Sequence, residues 1–228
     1  MALDPHFKAI CFDMDGTFMN TKVDYVKLAN VIFDELIDMG VPESAIDRSG
    51  GSRFEIEKGI GWLFDHGRGD EVYQIQDRVS KRSTDVEMEY ADEAKVFDGS
   101  VEVVKLMRKK GLKAGILTRG GHRYAEYIMR NNDVYDYFDA VIARDDFPEK
   151  EAKPSPVAME NMGRAIGVEP KDILFLGDHR FDWMTARDSG AGFYGVMTGH
   201  YHSKEDWFKA CGEDVPTINS IKDLLDII

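Results

Sequence analysis

Short apolar runs that alternate with helical stretches decide the fold class of this chain of 228 residues. The runs are rich in β-prone residues, and the stretches between most of them repeat apolar residues at helical spacing. Because strands that alternate with helices form parallel sheets covered on both faces, the pattern predicts an α/β fold with a doubly wound parallel sheet. The five predicted strands are 8–13, 113–118, 140–143, 173–177 and 193–197, and the main predicted helices are 100–110, 122–130 and 156–166.

The segment 20–91 interrupts this alternation, since it shows helical periodicity and no convincing strand. We therefore predict two domains, an α/β core formed by 1–19 and 92–228 and a helical cap inserted at 20–91. Two further short helices are expected near the end of the core. Within the insertion, the predicted helices are 23–39, 54–64 and 71–89.

Polar residues lie at the carboxyl ends of four predicted strands, which is where ligands bind in open parallel sheets. A lone aspartate there is usually a turn or cap residue, but that interpretation does not explain all four strand ends together. We therefore expect these side chains to form one site at one edge of the sheet. They are Asp13 and Asp15 after the first strand, Thr118 at the end of the second, Lys153 after the third, and Asp178 and Asp182 after the fourth.

The charges of these side chains indicate what the site binds. Clustered carboxylates repel one another and would take up protons unless a cation neutralised them. Oxygen-only ligands suit Mg²⁺, which accepts one or two carboxylates together with a phosphate oxygen. Lys153 adds a second positive charge, and the Thr118 hydroxyl can donate to a phosphate oxygen. The sequence therefore predicts a phosphoryl group held between Mg²⁺ and Lys153, with one carboxylate left to attack it.

Four motifs resemble, in this order, those of the haloacid dehalogenase-like (HAD) phosphatases: DMDGT (13–17), LTR (117–119), AKPSP (152–156) and LGDHRFD (176–182). The resemblance extends from about residue 7 to residue 197, and the insertion is similar to the mobile helical cap of the phosphoglycolate phosphatase-like subgroup. It implies Mg²⁺-dependent hydrolysis of a small soluble phosphomonoester, with phosphoglycolate as the leading candidate.

The resemblance also implies a role for each matching residue. Asp13 would be the nucleophile that forms an aspartyl-phosphate, and Asp15 would protonate the leaving oxygen and then activate water. Thr118 would bind the phosphoryl group, while Lys153 would stabilise both the nucleophile and the transferring charge. The metal ligands would be the side chains of Asp13, Asp178 and Asp182 together with the backbone carbonyl of Asp15.

Two arginines are further candidates for contacts with the substrate. Arg119, next to Thr118, is interpreted either as a phosphate-binding residue or as one half of a structural ion pair. Arg53 lies in the glycine-rich sequence SGGSR of the insertion, which is predicted to be a flexible turn. From such a turn its side chain could reach the core and bind a substrate carboxylate, and the alternative is a solvated loop arginine.

The chain departs from the family pattern at three positions. Phe18 replaces the usual leucine after DGT, Gly120 replaces the common asparagine after LTR, and His179 replaces the frequent serine after GD. None of these changes removes a catalytic group. The histidines of GHYHS (199–203) lack an acidic or cysteine partner at suitable spacing, so this segment is interpreted as a solvated loop rather than a metal site.

The charge balance and the cysteines bear on partners and location. With 29 basic and 42 acidic residues the net charge is −13, and such a field repels nucleic acids and anionic membranes. No signal peptide or membrane span is apparent, and Cys11 and Cys211 are too few for a disulfide framework, which favours a reducing cytosol. The expected partner is therefore a small phosphorylated metabolite in the cytoplasm, while the oligomeric state is not readable from the sequence.

Three alternatives would use the same residues differently. A phosphomutase would pass the phosphoryl group from Asp13 to a sugar rather than to water. A receiver-type signalling module also surrounds a phosphorylated aspartate with acidic residues, Mg²⁺, threonine and lysine, but it has no insertion after its first strand. A non-catalytic binding protein would not need every acidic position. Dehalogenation is disfavoured because Asp15 is present, and repeated turnover of p-nitrophenyl phosphate would separate an enzyme from a receiver.

Overall fold

The computed structural model describes residues 3–46 and 52–228, apart from the side chains of 52–57, 73 and 76. The chain divides into two compact units. The larger unit consists of Met1–Thr21 together with Ala91–Ile228, and the smaller unit is Lys22–Tyr90. Each unit has its own apolar core.

A six-stranded parallel sheet forms the centre of the larger unit. The strand that comes first in the chain lies inside the sheet, between neighbours that follow it by more than 90 residues. This order requires crossover connections, as the alternating pattern predicts. The order across the sheet is β5 (Ala140–Ile142), β4 (Lys113–Leu117), β1 (Ala9–Phe12), β6 (Ile173–Gly177), β7 (Gly192–Val196) and β8 (Thr217–Ile218).

Both faces of the sheet are covered, because all four residues of β1 have no solvent exposure. On one face Cys11 and Phe175 pack against helical residues such as Met159 and Met162. The predicted doubly wound α/β fold is therefore confirmed. The helices of this unit are α4 (Ser100–Lys109), α5 (His122–Asn131), α6 (Pro156–Ile166), α7 (Arg180–Ser189) and α8 (Lys204–Cys211).

The end of the chain differs from the expectation in one element. The two short helices expected there are α8 and a 3₁₀ helix, Ile221–Asp226. Between them lies β8, which the sequence pattern does not reveal, because a two-residue strand shows no periodicity.

Two short strands join the larger unit to the inserted segment. They are β2 (Met19–Asn20) and β3 (Lys95–Val96), which pair in antiparallel fashion. Met19 lies opposite Val96, so the chain leaves the larger unit and returns to it at neighbouring positions.

The smaller unit is helical over the residues that the structure describes. Its helices are α1 (Tyr25–Asp38), α2 (Ser52–Asp65) and α3 (Val72–Met88). Leu36 of α1 has no solvent exposure and packs against α2, where Gly59 leaves no room for a side chain: a Cβ there would lie 2.7 Å from a Leu36 methyl carbon. The buried Glu35 carboxylate pairs with Arg78 and Arg82 of α3, so the buried charge is neutralised.

None of the helices in the described part of the chain combines the length and the apolar character that a membrane crossing requires.

Candidate active site

The first motif turns sharply after β1. Asp13 follows the strand directly, and its N–H donates to the carbonyl of Leu176 at 2.8 Å, which continues the ladder between β1 and β6. Gly16 then adopts φ +79°, a left-handed conformation that favours glycine, and its N–H donates to Met19 at 2.9 Å. The turn holds the Asp13 side chain at the carboxyl edge of the sheet, where the other motifs also end.

Lys153 joins two of the predicted aspartates. Its ammonium group contacts Oδ1 of Asp13 and lies 2.6 Å from Oδ1 of Asp182. Lys153, Asp13 and Asp182 are 3%, 6% and 1% exposed, so these are buried charges. Burial by itself would lower the pKa of Lys153, but the two carboxylates outweigh it and raise that pKa. Lys153 is therefore a permanent cation beside Asp13.

Three carboxylates meet in this place. Oxygens of Asp13, Asp178 and Asp182 all lie within 4.8 Å of one another. Burial raises the pKa of Asp178 to about 7, and the neighbouring Asp182 adds to the effect. Burial also raises the pKa of Asp13, against the opposing influence of Lys153. Three carboxylates facing one ammonium leave an excess of negative charge, and an oxygen-only donor set of this kind fits Mg²⁺.

The loop that follows β7 contacts two of the motifs, and no sequence pattern predicts these contacts. The N–H of His200 donates to Asp178 Oδ2 at 2.6 Å, and Thr198 Oγ1 donates to the Gly16 carbonyl at 2.7 Å. Gly199 lies so close that a Cβ there would be 2.0 Å from Asp178 Oδ2. The segment GHYHS is predicted to be a solvated loop, and the His200 side chain is exposed. The contact with Asp178 is made by the backbone N–H of His200.

Asp15 is held by two hydroxyl groups. Thr21 Oγ1 lies 2.7 Å and the Tyr124 hydroxyl 2.9 Å from the same atom, Asp15 Oδ1. Burial raises the pKa of Asp15, and these two hydrogen bonds oppose the rise. Neither Thr21 nor Tyr124 was identified from the sequence, since a threonine and a tyrosine at those positions match no motif.

Thr118 and Arg119 lie at the end of β4. The backbone N–H of Thr118 donates to Ile142, and its Oγ1 accepts a hydrogen bond of 2.9 Å from the Gly120 N–H. The Arg119 guanidinium donates to the Lys153 carbonyl and to Glu149 Oε1, both at 2.7 Å. The structural ion pair expected as one alternative for Arg119 is therefore present, while its contact with phosphate stays a prediction.

His179 caps a helix. Its Nδ1 accepts a hydrogen bond of 3.2 Å from the N–H of Phe181, and its own N–H donates to Asp182 Oδ2 at 3.1 Å. Together these bonds form a capping box at the start of α7. Burial lowers the pKa of His179 to about 4, so the imidazole is neutral and Nδ1 remains an acceptor. The capping box also fixes Asp182 beside Lys153.

Arg53 does not lie in the turn expected for it. The helix α2 begins at Ser52, two residues before the predicted start, and it includes position 53. The Arg53 side chain lies outside the described residues, as do 47–51 of the adjoining glycine-rich sequence.

A family model described as haloacid dehalogenase-like hydrolase matches residues 7–190 of this chain. The protein therefore belongs to the haloacid dehalogenase-like hydrolases, as the four motifs indicate, and is an enzyme of that family. It is 26% identical to phosphoglycolate phosphatase 1 of Pseudomonas aeruginosa, over 98% of this chain and 82% of the relative. It is 25% identical to the N-acetylmuramic acid 6-phosphate phosphatase of the same organism, over 97% and 94% of the two chains.

The solved structures agree with the fold. The structure of CbbY from Rhodobacter sphaeroides in complex with phosphate has a TM-score of 0.60 against this protein. The two sequences are 20% identical, and the match covers 96% of each chain. At 20% identity this similarity shows a shared fold and does not indicate the substrate.

Proposed function

We propose that the protein is a Mg²⁺-dependent phosphatase that hydrolyses a small soluble phosphomonoester through an aspartyl-phosphate on Asp13. One observation carries the proposal: the buried Asp13 carboxylate contacts Lys153 and shares a carboxylate cluster with Asp178 and Asp182. Both relatives described above are named as phosphatases of small phosphorylated acids, which supports the same reaction class.

The metal site is proposed from the donor set. Asp13, Asp178 and the backbone carbonyl of Asp15 would hold Mg²⁺, which would offset the negative charge of the carboxylates and of the phosphoryl oxygens. Asp182 is also proposed as a ligand of Mg²⁺, and it has a second role in positioning Lys153. Its two oxygens already accept hydrogen bonds from Lys153 and from the His179 N–H, which supports Asp182 as the residue that holds Lys153 against Asp13.

In the first step Asp13 attacks phosphorus while the bond to the leaving oxygen breaks, and Asp15 gives that oxygen its proton. Lys153 fixes the attacking carboxylate and offsets the charge that moves between the two groups. The Thr118 hydroxyl accepts from the Gly120 N–H, so its own hydrogen can be donated to a phosphoryl oxygen.

In the second step Asp15, now ionised, takes a proton from water as that water attacks the phosphorus. The bond between phosphorus and Asp13 breaks, and inorganic phosphate leaves. Asp15 is thereby protonated again and ready for the next substrate. The two steps need one group that first gives and then accepts a proton, and a carboxyl with its pKa raised by burial suits both roles.

Selectivity among phosphomonoesters needs a protein group that contacts the part of the substrate beyond the phosphoryl group. Two cations of the site are engaged by the protein itself: Lys153 by two carboxylates and Arg119 by Glu149. We propose that the inserted segment, taken as 20–91, acts as a cap and that Arg53 binds the carboxylate of a substrate such as phosphoglycolate. The test is kcat/KM of Arg53→Ala with two substrates. It should fall with phosphoglycolate and stay unchanged with p-nitrophenyl phosphate.

The test of the reaction is replacement of the nucleophile. Asp13→Asn keeps the shape of the side chain but removes the attacking charge, so kcat should fall at least ~10³-fold. Rapid quenching of the wild type with p-nitrophenyl phosphate and Mg²⁺ should show, by mass spectrometry, one phosphoryl group attached at Asp13. Asp188→Asn, an exposed aspartate on α7, is the control and should keep wild-type turnover.

Three results would contradict the proposal or redirect it. Near-wild-type turnover by Asp13→Asn would remove the mechanism. A phosphoryl group that persists on Asp13 without turnover would indicate a receiver module. Transfer from Asp13 to an added sugar phosphate, in place of release as inorganic phosphate, would indicate a phosphomutase.

A further inference from the structure

Gly120 leaves a space beside the site that another side chain fills. A Cβ at Gly120 would lie 3.0 Å from Cδ1 of Tyr124, 3.2 Å from Cε of Met14 and 3.3 Å from Thr118 Oγ1. These distances are tighter than ordinary contacts, so any larger residue at position 120 would press on the Tyr124 ring. The ring therefore depends on glycine at this position.

Tyr124 reaches the acid/base residue from this space. It lies in the first turn of α5, is 1% exposed, and directs its hydroxyl to Asp15 Oδ1 at 2.9 Å. The other hydroxyl on that atom comes from Thr21, only six residues from Asp15 in the sequence, whereas Tyr124 is 109 residues away. Tyr124 thus ties Asp15 to a separate helix of the larger unit.

We propose that Tyr124 is a positioning residue for Asp15 and that Gly120 makes room for it. The inference rests on the proposed function, in which Asp15 transfers the proton. With Oδ1 occupied by two hydroxyl donors, Oδ2 is the oxygen that gives the proton to the leaving group and takes one from water. A buried phenol ring has only two side-chain torsions, both restricted by packing, so it fixes the direction of the carboxylate well.

The decisive variant is Tyr124→Phe, which keeps the ring and removes only the hydroxyl. With p-nitrophenyl phosphate the leaving group needs no proton, so phosphorylation of Asp13 should stay within about threefold of wild type. Hydrolysis of the aspartyl-phosphate still needs Asp15 and should slow by about 10- to 100-fold. Stopped-flow measurement should therefore show a burst of nitrophenolate close to one per enzyme, followed by slow turnover, and quenched samples should contain phosphorylated Asp13.

A matched control lies on the same helix. The Tyr127 hydroxyl donates to Asp92 at 2.5 Å, away from the site, so Tyr127→Phe removes a tyrosine–aspartate hydrogen bond of the same kind. It should show neither the burst nor the slow second step. With an alkyl phosphomonoester, whose leaving group needs a proton, Tyr124→Phe should slow both steps and show no burst.

Gly120→Ala provides a second variant that does not depend on how Tyr124→Phe folds. Pressure on the ring should displace the hydroxyl and give the same burst with p-nitrophenyl phosphate. The inference would be overturned if, with p-nitrophenyl phosphate, Tyr124→Phe kept the wild-type ratio of the rate of Asp13 phosphorylation to the rate of aspartyl-phosphate hydrolysis. That ratio is kept if neither step changes or if both slow equally. A wild type that forms no phosphorylated Asp13 would instead overturn the proposed function, so the two failures are distinguishable.

Discussion

Arg119 illustrates how a single side chain holds two motifs together. Its guanidinium bridges the Glu149 carboxylate and the Lys153 carbonyl, while its own carbonyl accepts a 2.8 Å hydrogen bond from Arg144. The end of β4, which carries Thr118, is thereby linked to the loop that carries Lys153. A planar guanidinium can serve two acceptors in fixed directions, which an ammonium group cannot do.

We expect Arg119→Met to lower kcat/KM by about 10- to 100-fold, because Lys153 loses the support that sets its position. Arg119→Lys should restore little of the loss. Glu149→Gln should lower kcat/KM by a smaller factor. In the double variant Arg119→Met/Glu149→Gln, the loss of kcat/KM should be smaller than the two single losses combined. Steady-state kinetics with p-nitrophenyl phosphate gives kcat/KM for these four variants and for the wild type.

Arg130→Met is the control, since Arg130 is an exposed arginine on α5 that pairs with Glu126. One outcome would favour the other interpretation of Arg119. If Arg119→Met weakens inhibition by inorganic phosphate while Glu149→Gln changes nothing, then Arg119 contacts the phosphoryl group directly.

At the level of elements, the loop after β7 supports the site through close approach rather than through charge. Thr198 bonds to the Gly16 turn, the N–H of His200 bonds to Asp178, and Gly199 lies between them with no space for a side chain. This loop fixes one carboxylate oxygen of Asp178, so it sets the direction of the other oxygen.

Gly199→Ala should displace the Asp178 carboxylate and weaken Mg²⁺ binding by about 10- to 100-fold, the range found when groups that orient metal ligands are altered. Isothermal titration with Mg²⁺ measures the affinity directly. The control is Gly61→Ala in α2, where a Cβ meets nothing within 4 Å, and it should leave Mg²⁺ affinity unchanged while stabilising the helix by roughly 0.5–1 kcal/mol. Equal Mg²⁺ affinity in Gly199→Ala and wild type would show that the loop adapts.

The sequence is sufficient for those elements that repeat a pattern. The five longer strands are predicted because each is an apolar run, and Asp13, Asp15, Lys153 and Asp178 are predicted because they follow such runs. Four kinds of feature are not accessible in this way. The strand β8 is too short to show a period, Tyr124 meets Asp15 only through the tertiary fold, His200 acts through its backbone, and the start of α2 at Ser52 is hidden by the glycine-rich sequence before it.

For the molecule as a whole, the buried carboxylates of the site oppose folding. Asp13, Asp178 and Asp182 are buried together against one lysine, in a chain whose net charge is already −13. Like charges at such distances are unfavourable, so this arrangement reduces the stability of the folded protein.

Asp178→Asn should therefore raise the thermal midpoint of the protein in EDTA, by about 2–4 °C for each kcal/mol of repulsion removed. In the wild type, Mg²⁺ at 100 times its dissociation constant should stabilise the folded state by about 2.7 kcal/mol, and this increment should be largely lost in the variant. Differential scanning fluorimetry with EDTA and with Mg²⁺ gives both values. A variant less stable than wild type in EDTA would show that the hydrogen bond from His200 to Asp178 outweighs the repulsion.

The small antiparallel pair of β2 and β3 has a consequence for how such enzymes diversify. Since Met19 lies opposite Val96, the two ends of the intervening segment are neighbours, and the sheet does not depend on the length of what lies between them. A segment of another size and sequence can be exchanged at this junction without disturbing the strand order that assembles Asp13, Thr118, Lys153 and Asp178. Under the proposed function, in which the inserted segment selects the substrate, chains with this architecture can take up new substrates by exchange of this segment and keep the same reaction. Grafting a relative's segment between Met19 and Val96 is a direct way to make such hybrids.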